Sequence, residues 1–348
     1  MKSNRLIYIL IILLAIWCLL LSTKSIDKND TDNKEVINEY NVTGFSTDLT
    51  KVVDDVKTSI VSINANGFIS TGFVYKQVDD VIYVLTSYHG IAGANNIYIQ
   101  FASGFNVYAS VVGHNIYADI AILSVKSPFE IKTLNLTDSS LLKTGEFVIS
   151  IGTPLSLEFN QTAELGMISN ELRTIENSIK VDDEDINYYM DVIQLSSTLH
   201  PGYSGSPIIN MNSEVVGMTT MSPVNGLNFA IPSNEIKIIA DKIISNVATK
   251  KYQLGIKGSY ISKMPSFVKS NLNIPVDIIN GMYIEKLKEN SVATTAGIKT
   301  GDILLSINGV VINDADDYLS IVYSDVSSFE FEVYKDGKTH EYKVEIND

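Results

Sequence analysis

The stretch Leu199–Asn210 reads LHPGYSGSPIIN. It places one serine, Ser204, among glycines and between two prolines, and such a sequence favours a sharp turn over a regular strand or helix. Taken alone, it fits either an ordinary turn or a turn that presents a nucleophile. The choice between these two interpretations depends on which other side chains the chain supplies.

Two upstream segments supply the partners that a serine nucleophile needs. VLTSYHGI places His89 just after a strand-like run, and YADIAIL places Asp119 at the start of another. A serine hydroxyl is a poor nucleophile at neutral pH, so it requires an adjacent base, which in turn requires an orienting acid. A tight glycine turn would also aim the backbone N–H groups of Gly202 and Ser204 at one point, where the oxyanion of a tetrahedral intermediate would sit.

Singly, each of these side chains is more often structural than catalytic, and two alternatives compete with the set. GYSGS resembles the nucleophile elbow of α/β-hydrolases, but Ser206 stands where that motif has glycine. The chain order here is also His, Asp, Ser, whereas the α/β-hydrolases run Ser, acid, His. His200 is a competing base four residues before Ser204, and we expect it on the loop that leads into the turn.

Composition limits the class of protein. The net charge of −14 argues against nucleic acid as a partner, since binding it requires a cationic surface. The single cysteine, Cys18, lies in the N-terminal apolar run, so the folded part has no disulfide, no thiolate metal site and no cysteine nucleophile.

Short Val/Ile/Tyr-rich runs separated by Gly, Asn and Asp extend from Phe45 to about Ala248 and predict an antiparallel barrel or sandwich. An amphipathic helix is predicted before them, over DLTKVVDDVKTS. A second helix, over residues 233–251, is expected to close this domain. The remaining residues, from 252, form a second unit of about the smallest size that folds alone.

The N-terminus begins with an apolar run from Leu6 to Leu21, after Lys2 and Arg5. No small-residue cleavage pattern follows, so residues 1–23 are predicted to be an uncleaved signal anchor or transmembrane helix. A lipoprotein would modify Cys18, but the bulky Trp17 precedes it. Residues 24–44 are polar and acidic and are predicted to be a flexible linker.

His89 in TSYHGI, Asp119 in ADIAIL, Ser204 in PGYSGSP and the later segment GLNFAIPSNEI together resemble the trypsin-like serine proteases of the HtrA (Deg) family. The resemblance implies a mainly β protein whose protease domain, residues 45–250, is a double β-barrel. It also implies that Ser204 is the nucleophile, His89 the base and Asp119 its orienter. The implied oxyanion hole comprises Gly202, Tyr203 and Ser204.

The resemblance also implies a specificity pocket, formed by Thr198, Leu227, Asn228 and Phe229. Thr198 is neutral and small, which argues against cleavage after Lys or Arg and favours small or medium aliphatic residues. Two residues depart from the family pattern Gly-Asn-Ser-Gly-Gly: Tyr203 replaces Asn, and Ser206 replaces the last Gly. Tyr203 is expected to narrow the cleft beside the nucleophile.

Residues 251–348 resemble a PDZ domain, on Gly297, Gly301 and Asp302 in AGIKTGDILLSINGVVI. The resemblance implies that Gln253, Leu254, Gly255 and Ile256 form the loop that holds a peptide carboxylate, while the peptide adds as a β-strand. DADDYLSIV, residues 314–322, would be the helix on the other side of the groove. The acidic segment KVDDEDINYY, residues 180–189, lacks the pattern of a calcium loop and is predicted to be a hairpin tip.

These expectations combine into a membrane-anchored serine endopeptidase that acts outside the cytoplasm on misfolded or damaged proteins, while its PDZ domain binds exposed C-termini. No metal or organic cofactor is expected, and family resemblance implies a homotrimer. The alternative is a catalytically weak or inactive protease-like barrel that binds peptides as a chaperone or sensor. Tyr203 favours this alternative, and the complete set of His89, Asp119 and Ser204 opposes it.

Overall fold

The computed structural model describes residues 42–127, 129–181, 184–220 and 226–346. The predicted anchor at 1–23 and nearly all of the predicted linker lie outside these residues. Helix α1 spans Val42–Val56 and so includes the last three residues assigned to the linker. Across the described ranges, no helix is both long enough and apolar enough to span a bilayer.

The first β layer is a seven-stranded antiparallel sheet in the order β5-β4-β1-β2-β3-β7-β6. Its inner strands are short apolar runs whose side chains are buried on both faces, as in the IVSINA and IAILSV segments. Its strands are β1 Ile60–Ala65, β2 Phe68–Val78, β3 Val81–Ser87, β4 Ile97–Gln100, β5 Asn106–Tyr108, β6 Ser110–Asn115 and β7 Ile120–Lys126. His89 and Asp119 stand at the ends of β3 and β7, which pair with each other from Val81↔Lys126 to Ser87↔Ile120.

The second β layer is a closed six-stranded barrel in the order β10-β13-β12-β11-β8-β9. Ser204 lies on the turn that enters β11, close to where β10 ends. The strands are β8 Phe147–Gly152, β9 Thr162–Val181, β10 Glu184–Leu195, β11 Pro207–Ile209, β12 Val215–Thr220 and β13 Asn228–Pro232. The predicted acidic hairpin tip joins β9 to β10, and Asp182 and Asp183 at its end lie outside the described residues.

The mainly β prediction is confirmed, with two differences in detail. The first layer is an open sheet by its hydrogen bonds, not a second closed barrel, because β5 and β6 stand at its two ends. The predicted helix over 233–251 is shorter: α2 spans Ser233–Ile244. Its apolar face repeats at helical spacing through Ile236, Ile239 and Ile243, and the helix ends because Asn246 has a left-handed backbone, with φ of 55°.

The C-terminal domain contains a six-stranded sheet, in which five strands follow the order β14-β15-β16-β18-β19 and the short β17 pairs with β16. Among the described strands only β15 pairs with β14, so the other edge of β14 is unpaired there. The elements are β14 Ile256–Tyr260, α3 Ser266–Asn271, β15 Met282–Leu287, α4 Val292–Ala296, β16 Ile303–Ile307, β17 Val310–Val311, α5 Ala315–Val322, β18 Ser328–Lys335 and β19 Lys338–Glu345. The predicted groove helix corresponds to α5, and Asp314 caps it by accepting from the N–H groups of Asp316 and Asp317.

The two domains belong to one compact unit from Thr47 onwards and share a continuous hydrophobic cluster. A buried polar group joins them at α2: Glu235 Oε1 lies 2.5 Å from Lys251 Nζ and accepts a hydrogen bond of 2.6 Å from the Tyr323 hydroxyl. A second ion pair, Glu176 with Lys288, joins the β9–β10 hairpin to the C-terminal domain. The protease-like domain and the C-terminal domain thus have a packed interface rather than a loose tether.

Candidate active site

His89, Asp119 and Ser204 form one hydrogen-bonded chain. The Nε2 atom of His89 lies 2.8 Å from Ser204 Oγ, and its Nδ1 atom lies 2.7 Å from Asp119 Oδ2. The other carboxylate oxygen of Asp119 accepts the backbone N–H of His89 at 2.8 Å. The carboxylate therefore fixes both the backbone and the ring of the histidine, and leaves Nε2 free to take the serine proton.

Asp119 has two further restraints. The Thr220 hydroxyl donates to Asp119 Oδ2 over 2.6 Å, and the backbone of Asp119 is left-handed, with φ of 55°. Its side chain is only 9% exposed, against 20% for His89. A carboxylate so enclosed, with three hydrogen bonds, is well placed to hold the imidazole in one tautomer and to stabilise its charged form.

Ser204 follows a tight turn that begins at His200. The N–H of Tyr203 donates to the His200 carbonyl at 3.1 Å, and Gly202, the third residue of the turn, has φ of 104°. A type II turn requires such a positive φ at this position, which suits glycine. A Cβ on Gly202 would lie 2.1 Å from the Thr153 carbonyl oxygen, so no other residue fits here without rearrangement.

The turn directs two N–H groups into the cleft. The Pro201 carbonyl accepts from the Leu155 N–H at 2.8 Å, and in a trans peptide the following N–H, that of Gly202, points the opposite way. The described residues offer no hydrogen-bond acceptor to the N–H of Gly202 or of Ser204. These two donors fit an oxyanion hole, whereas the predicted third member, Tyr203, uses its N–H inside the turn.

Tyr203 does not line the cleft, contrary to the expectation that its ring narrows it. The side chain is 1% exposed, and its hydroxyl donates to the Thr162 carbonyl at 3.2 Å inside the second barrel. Burial, followed by the negative charge of Glu164, raises the pKa of this hydroxyl to about 12. Tyr203 is therefore a core residue whose backbone alone takes part in the turn.

The residues predicted for the specificity pocket differ widely in exposure. Thr198 is exposed, and Leu227 is 39% exposed. Asn228 joins the two segments, because its amide donates to the Ser197 carbonyl at 2.8 Å. Phe229 is 2% exposed and packs in the hydrophobic core, so it offers little surface to a substrate.

The other histidines stand apart from this chemistry. His200 is exposed and contributes its backbone carbonyl to the turn, while the His114 ring stacks on Tyr88 with centroids 4.6 Å apart. In the part of the chain that the structure describes, no cluster of three or more His, Cys, Asp or Glu side chains has the arrangement of a metal site.

The predicted carboxylate loop precedes β14. Leu254 is 1% exposed, Gly255 has φ of 74°, and Ile256 begins the strand. Two hydrogen bonds from a neighbouring segment fix the loop: the carbonyls of Leu254 and Gly255 accept from the N–H groups of Ala293 and Lys288, respectively. The loop therefore leads directly into β14, and its position is fixed by the segment from Lys288 to Ala293.

The sequence analysis did not predict two threonines that form hydrogen bonds to the site residues from distant parts of the chain. Thr220 restrains Asp119, and Thr71, on β2, binds the nucleophile turn through both its N–H and its hydroxyl. Threonine is common in strands, so neither residue carries a sequence signal of its own. Each threonine contacts a residue more than a hundred positions away in the sequence, so these contacts become visible only in the folded structure.

Comparison with known proteins agrees with this geometry. The Trypsin-like peptidase domain family matches residues 70–218, and the PDZ domain family matches residues 283–333. The fold and the site thus define a trypsin-like serine peptidase class with one PDZ domain.

Curated relatives match a longer part of the chain than either family model does. The chain is 31% identical over 300 residues to the serine protease Do-like HtrA of Lactobacillus helveticus, covering 82% of this chain and 71% of that protein. It is 33% identical over 278 residues to the serine protease Do-like HtrB of Bacillus subtilis, covering 77% of this chain and 60% of the relative. The chain therefore belongs to the HtrA family of serine proteases. It spans about 60% of the length of its two Bacillus subtilis relatives.

Solved structures agree on the fold. The HtrA-type protease AlgW with tripeptide has a TM-score of 0.61 at 21% identity, covering 85% of this chain and 95% of that one. The serine endoprotease from Yersinia pestis has a TM-score of 0.53 at 20% identity, covering 85% and 96% of the two chains.

Proposed function

We propose that this protein is a serine endopeptidase that cleaves misfolded or damaged proteins by acyl-enzyme hydrolysis. The observation that carries the proposal is the continuous hydrogen-bonded chain from Asp119 through His89 to Ser204, with two free N–H groups beside the serine. The curated relatives are serine proteases, which supports the same reaction.

In the proposed reaction, Ser204 Oγ attacks the carbonyl carbon of the scissile bond while His89 Nε2 takes its proton. The N–H groups of Gly202 and Ser204 stabilise the resulting oxyanion. His89 then protonates the leaving amine, the C–N bond breaks, and an acyl-enzyme ester remains on Ser204. Water, deprotonated by His89, hydrolyses the ester and restores the serine.

The C-terminal domain is proposed to bind exposed C-terminal or unfolded segments of these substrates. A peptide that pairs with the free edge of β14 would extend the sheet by one strand, with its carboxylate at the loop from Gln253 to Ile256. Leu319 of the groove helix lines a small cavity of about 30 Å³ together with Asp191 and Glu235 of the protease domain. A bound peptide would therefore lie close to the domain interface and raise the effective concentration of substrate at the cleft.

Anchoring by residues 1–23, an extracytoplasmic location and assembly as a homotrimer are also proposed, the last by family resemblance. The apolar run from Leu6 to Leu21 supports the anchor. Digestion of intact cells with an added protease tests the location: a C-terminal epitope should be lost without cell lysis. Full protection of the epitope would contradict the proposed topology.

Light scattering of the detergent-purified chain tests the proposed trimer, and a monomeric mass would contradict it.

The catalytic proposal is tested on the full chain, purified in mild detergent and compared with Ser204→Ala. Wild type should react with a fluorophosphonate probe and degrade unfolded casein, whereas the variant should do neither. Peptides with free C-termini are added in parallel, so that a dependence on PDZ ligands is detected. A wild type that is neither labelled nor proteolytic, with or without peptides, would favour the peptide-binding alternative instead. The 1% exposure of Tyr203 supports the catalytic proposal over that alternative, because its ring does not narrow the cleft.

A further inference from the structure

The restraints on the nucleophile turn come from three places. The carbonyl of Pro201 is bound by Leu155, and that of Tyr203 by Thr219 and by the Ser206 N–H. The carbonyls of Gly202 and Ser204 are both bound by one residue, Thr71: its hydroxyl donates to the first at 2.7 Å and its N–H to the second at 2.9 Å. Thr71 thus spans the turn from the first β layer.

The peptide between Gly202 and Tyr203 has two restraints: its N–H donates to the His200 carbonyl within the turn, and its carbonyl accepts from Thr71. It separates the two N–H groups that would bind an oxyanion, so rotation of this peptide would change their relative direction. Gly202 lacks the Cβ that limits rotation in other residues, so its conformation has to be fixed by its neighbours. The hydrogen bond from Thr71 to the Gly202 carbonyl opposes that rotation.

The orientation of the Thr71 hydroxyl is fixed by its own hydrogen bonds. Its oxygen accepts the backbone N–H of Thr153 at 2.9 Å, so its one proton is left for the Gly202 carbonyl. The Thr71 carbonyl accepts the Thr86 hydroxyl at 2.7 Å, and the residue is fully buried. The side chain therefore has one partner for its proton and one for its lone pair, and no access to water.

We propose that Thr71 is a positioning residue for the reaction, which fixes the Gly202–Tyr203 peptide so that the Gly202 and Ser204 N–H groups converge on the oxyanion. This inference rests on the proposed function, because it concerns the transition state of that same hydrolysis. The hydroxyl, not the size of the side chain, performs this role. Serine should therefore replace threonine, and valine should not, although valine matches its shape.

The test uses the full chain with a fluorogenic peptide and a peptide boronic acid, whose tetrahedral serine adduct places an oxygen in the oxyanion hole. Thr71→Val should lower kcat about 10- to 100-fold, less than the roughly 10²- to 10³-fold effect of removing an oxyanion donor outright, and leave KM within about twofold. Its affinity for the boronic acid should fall by a similar factor. Thr71→Ser should restore both quantities to within about threefold of wild type.

The matched control is Ser233→Ala, which removes another fully buried hydroxyl that donates to a carbonyl, that of Thr137, at 2.5 Å. It should lower thermal stability while kcat and boronic acid affinity stay at wild-type values. If Thr71→Val does not fold, Thr71→Cys is compared with Thr71→Ser, which it resembles in shape but with a weaker donor, and its kcat should fall below that of Thr71→Ser.

A folded Thr71→Val protein with wild-type kcat and boronic acid affinity would overturn the proposal. So would a variant whose KM alone changes, or a cysteine variant as active as the serine variant. Failure of the proposed function looks different, because wild type itself would then resist fluorophosphonate labelling.

Discussion

At the scale of single residues, Gly202 is the described glycine at which an added Cβ would come closest to another atom. Its φ of 104° and the 2.1 Å approach of a Cβ to the Thr153 carbonyl mean that Gly202→Ala must displace the turn. We expect kcat to fall about 10²- to 10³-fold while KM changes little, because a misdirected donor acts mainly on the transition state. Steady-state kinetics with a fluorogenic peptide measures both constants.

The control for backbone strain is Gly67→Ala. Gly67 has a similar φ of 94°, but a Cβ there meets no atom within 4 Å. This variant carries the same conformational cost without the clash, so it should lose some stability and retain kcat. Equal losses of kcat in the two variants would show that the turn geometry is not the cause.

Residue types and their order led to His89, Asp119, Ser204 and the glycine of the turn, because the short motifs that contain them follow one another in the order of a known family, although each motif is weak alone. The direction of the Tyr203 side chain was not predictable, since alternate residues of an irregular turn have no fixed face. The ring points into the barrel because Gly152 leaves room for it: a Cβ there would lie 2.7 Å from the ring. Thr71 and Thr220 were missed because their partners are 131 and 101 residues away.

At the scale of elements, α2 carries the buried polar group that joins the domains. The side chains of Glu235 and Lys251 are only 1% and 7% exposed, and the Tyr323 hydroxyl completes the group. Removing one member of such a pair leaves an uncompensated buried charge, which costs about 3–5 kcal/mol. We therefore expect Lys251→Met to lower the free energy of unfolding by that amount, measured by urea denaturation.

The double variant Glu235→Leu/Lys251→Met should regain part of this loss, since neither charge is then left alone. The exposed pair Lys126 and Asp80, 3.8 Å apart, provides the comparison. Lys126→Met should change stability very little, because solvent screens that pair. Strictly additive effects of the two buried substitutions would contradict a coupled pair.

The order and type of elements were largely predictable, since alternating apolar runs and Gly-rich turns mark the strands of both domains. The end of α2 was not, because the apolar spacing continues past Ile244 in the sequence. The backbone of Asn246 ended the helix instead, and that left-handed conformation is only weakly favoured by asparagine.

At the scale of the whole molecule, buried tyrosines couple stability to alkaline pH. Burial is the main cause that raises the pKa of the phenol groups of Tyr75, Tyr188, Tyr203, Tyr260, Tyr318 and Tyr323. A phenol whose pKa is higher in the folded state than the ordinary value of about 10 stabilises the fold below that pH. This contribution is lost as the pH rises through the folded-state pKa, so the unfolding temperature should fall steeply in alkali.

Tyr203→Phe isolates one phenol of this group. Because the pKa of Tyr203 is about 12 in the folded state, the variant should lose stability less steeply than wild type between about pH 10 and pH 12. Thermal unfolding followed by circular dichroism across this range measures the slope. Parallel slopes for the two proteins would show that Tyr203 ionises equally in both states.

The bonds that bind the two β layers at the nucleophile turn are also the bonds that shape the catalytic centre. His89 and Asp119 stand on the first layer and Ser204 on the second, with Thr71 bridging the gap. Catalytic competence is thus a property of the seam between the layers and of neither layer alone. On heating, peptidase activity should accordingly be lost as soon as this contact between the layers loosens, at or below the temperature at which circular dichroism detects loss of the strands.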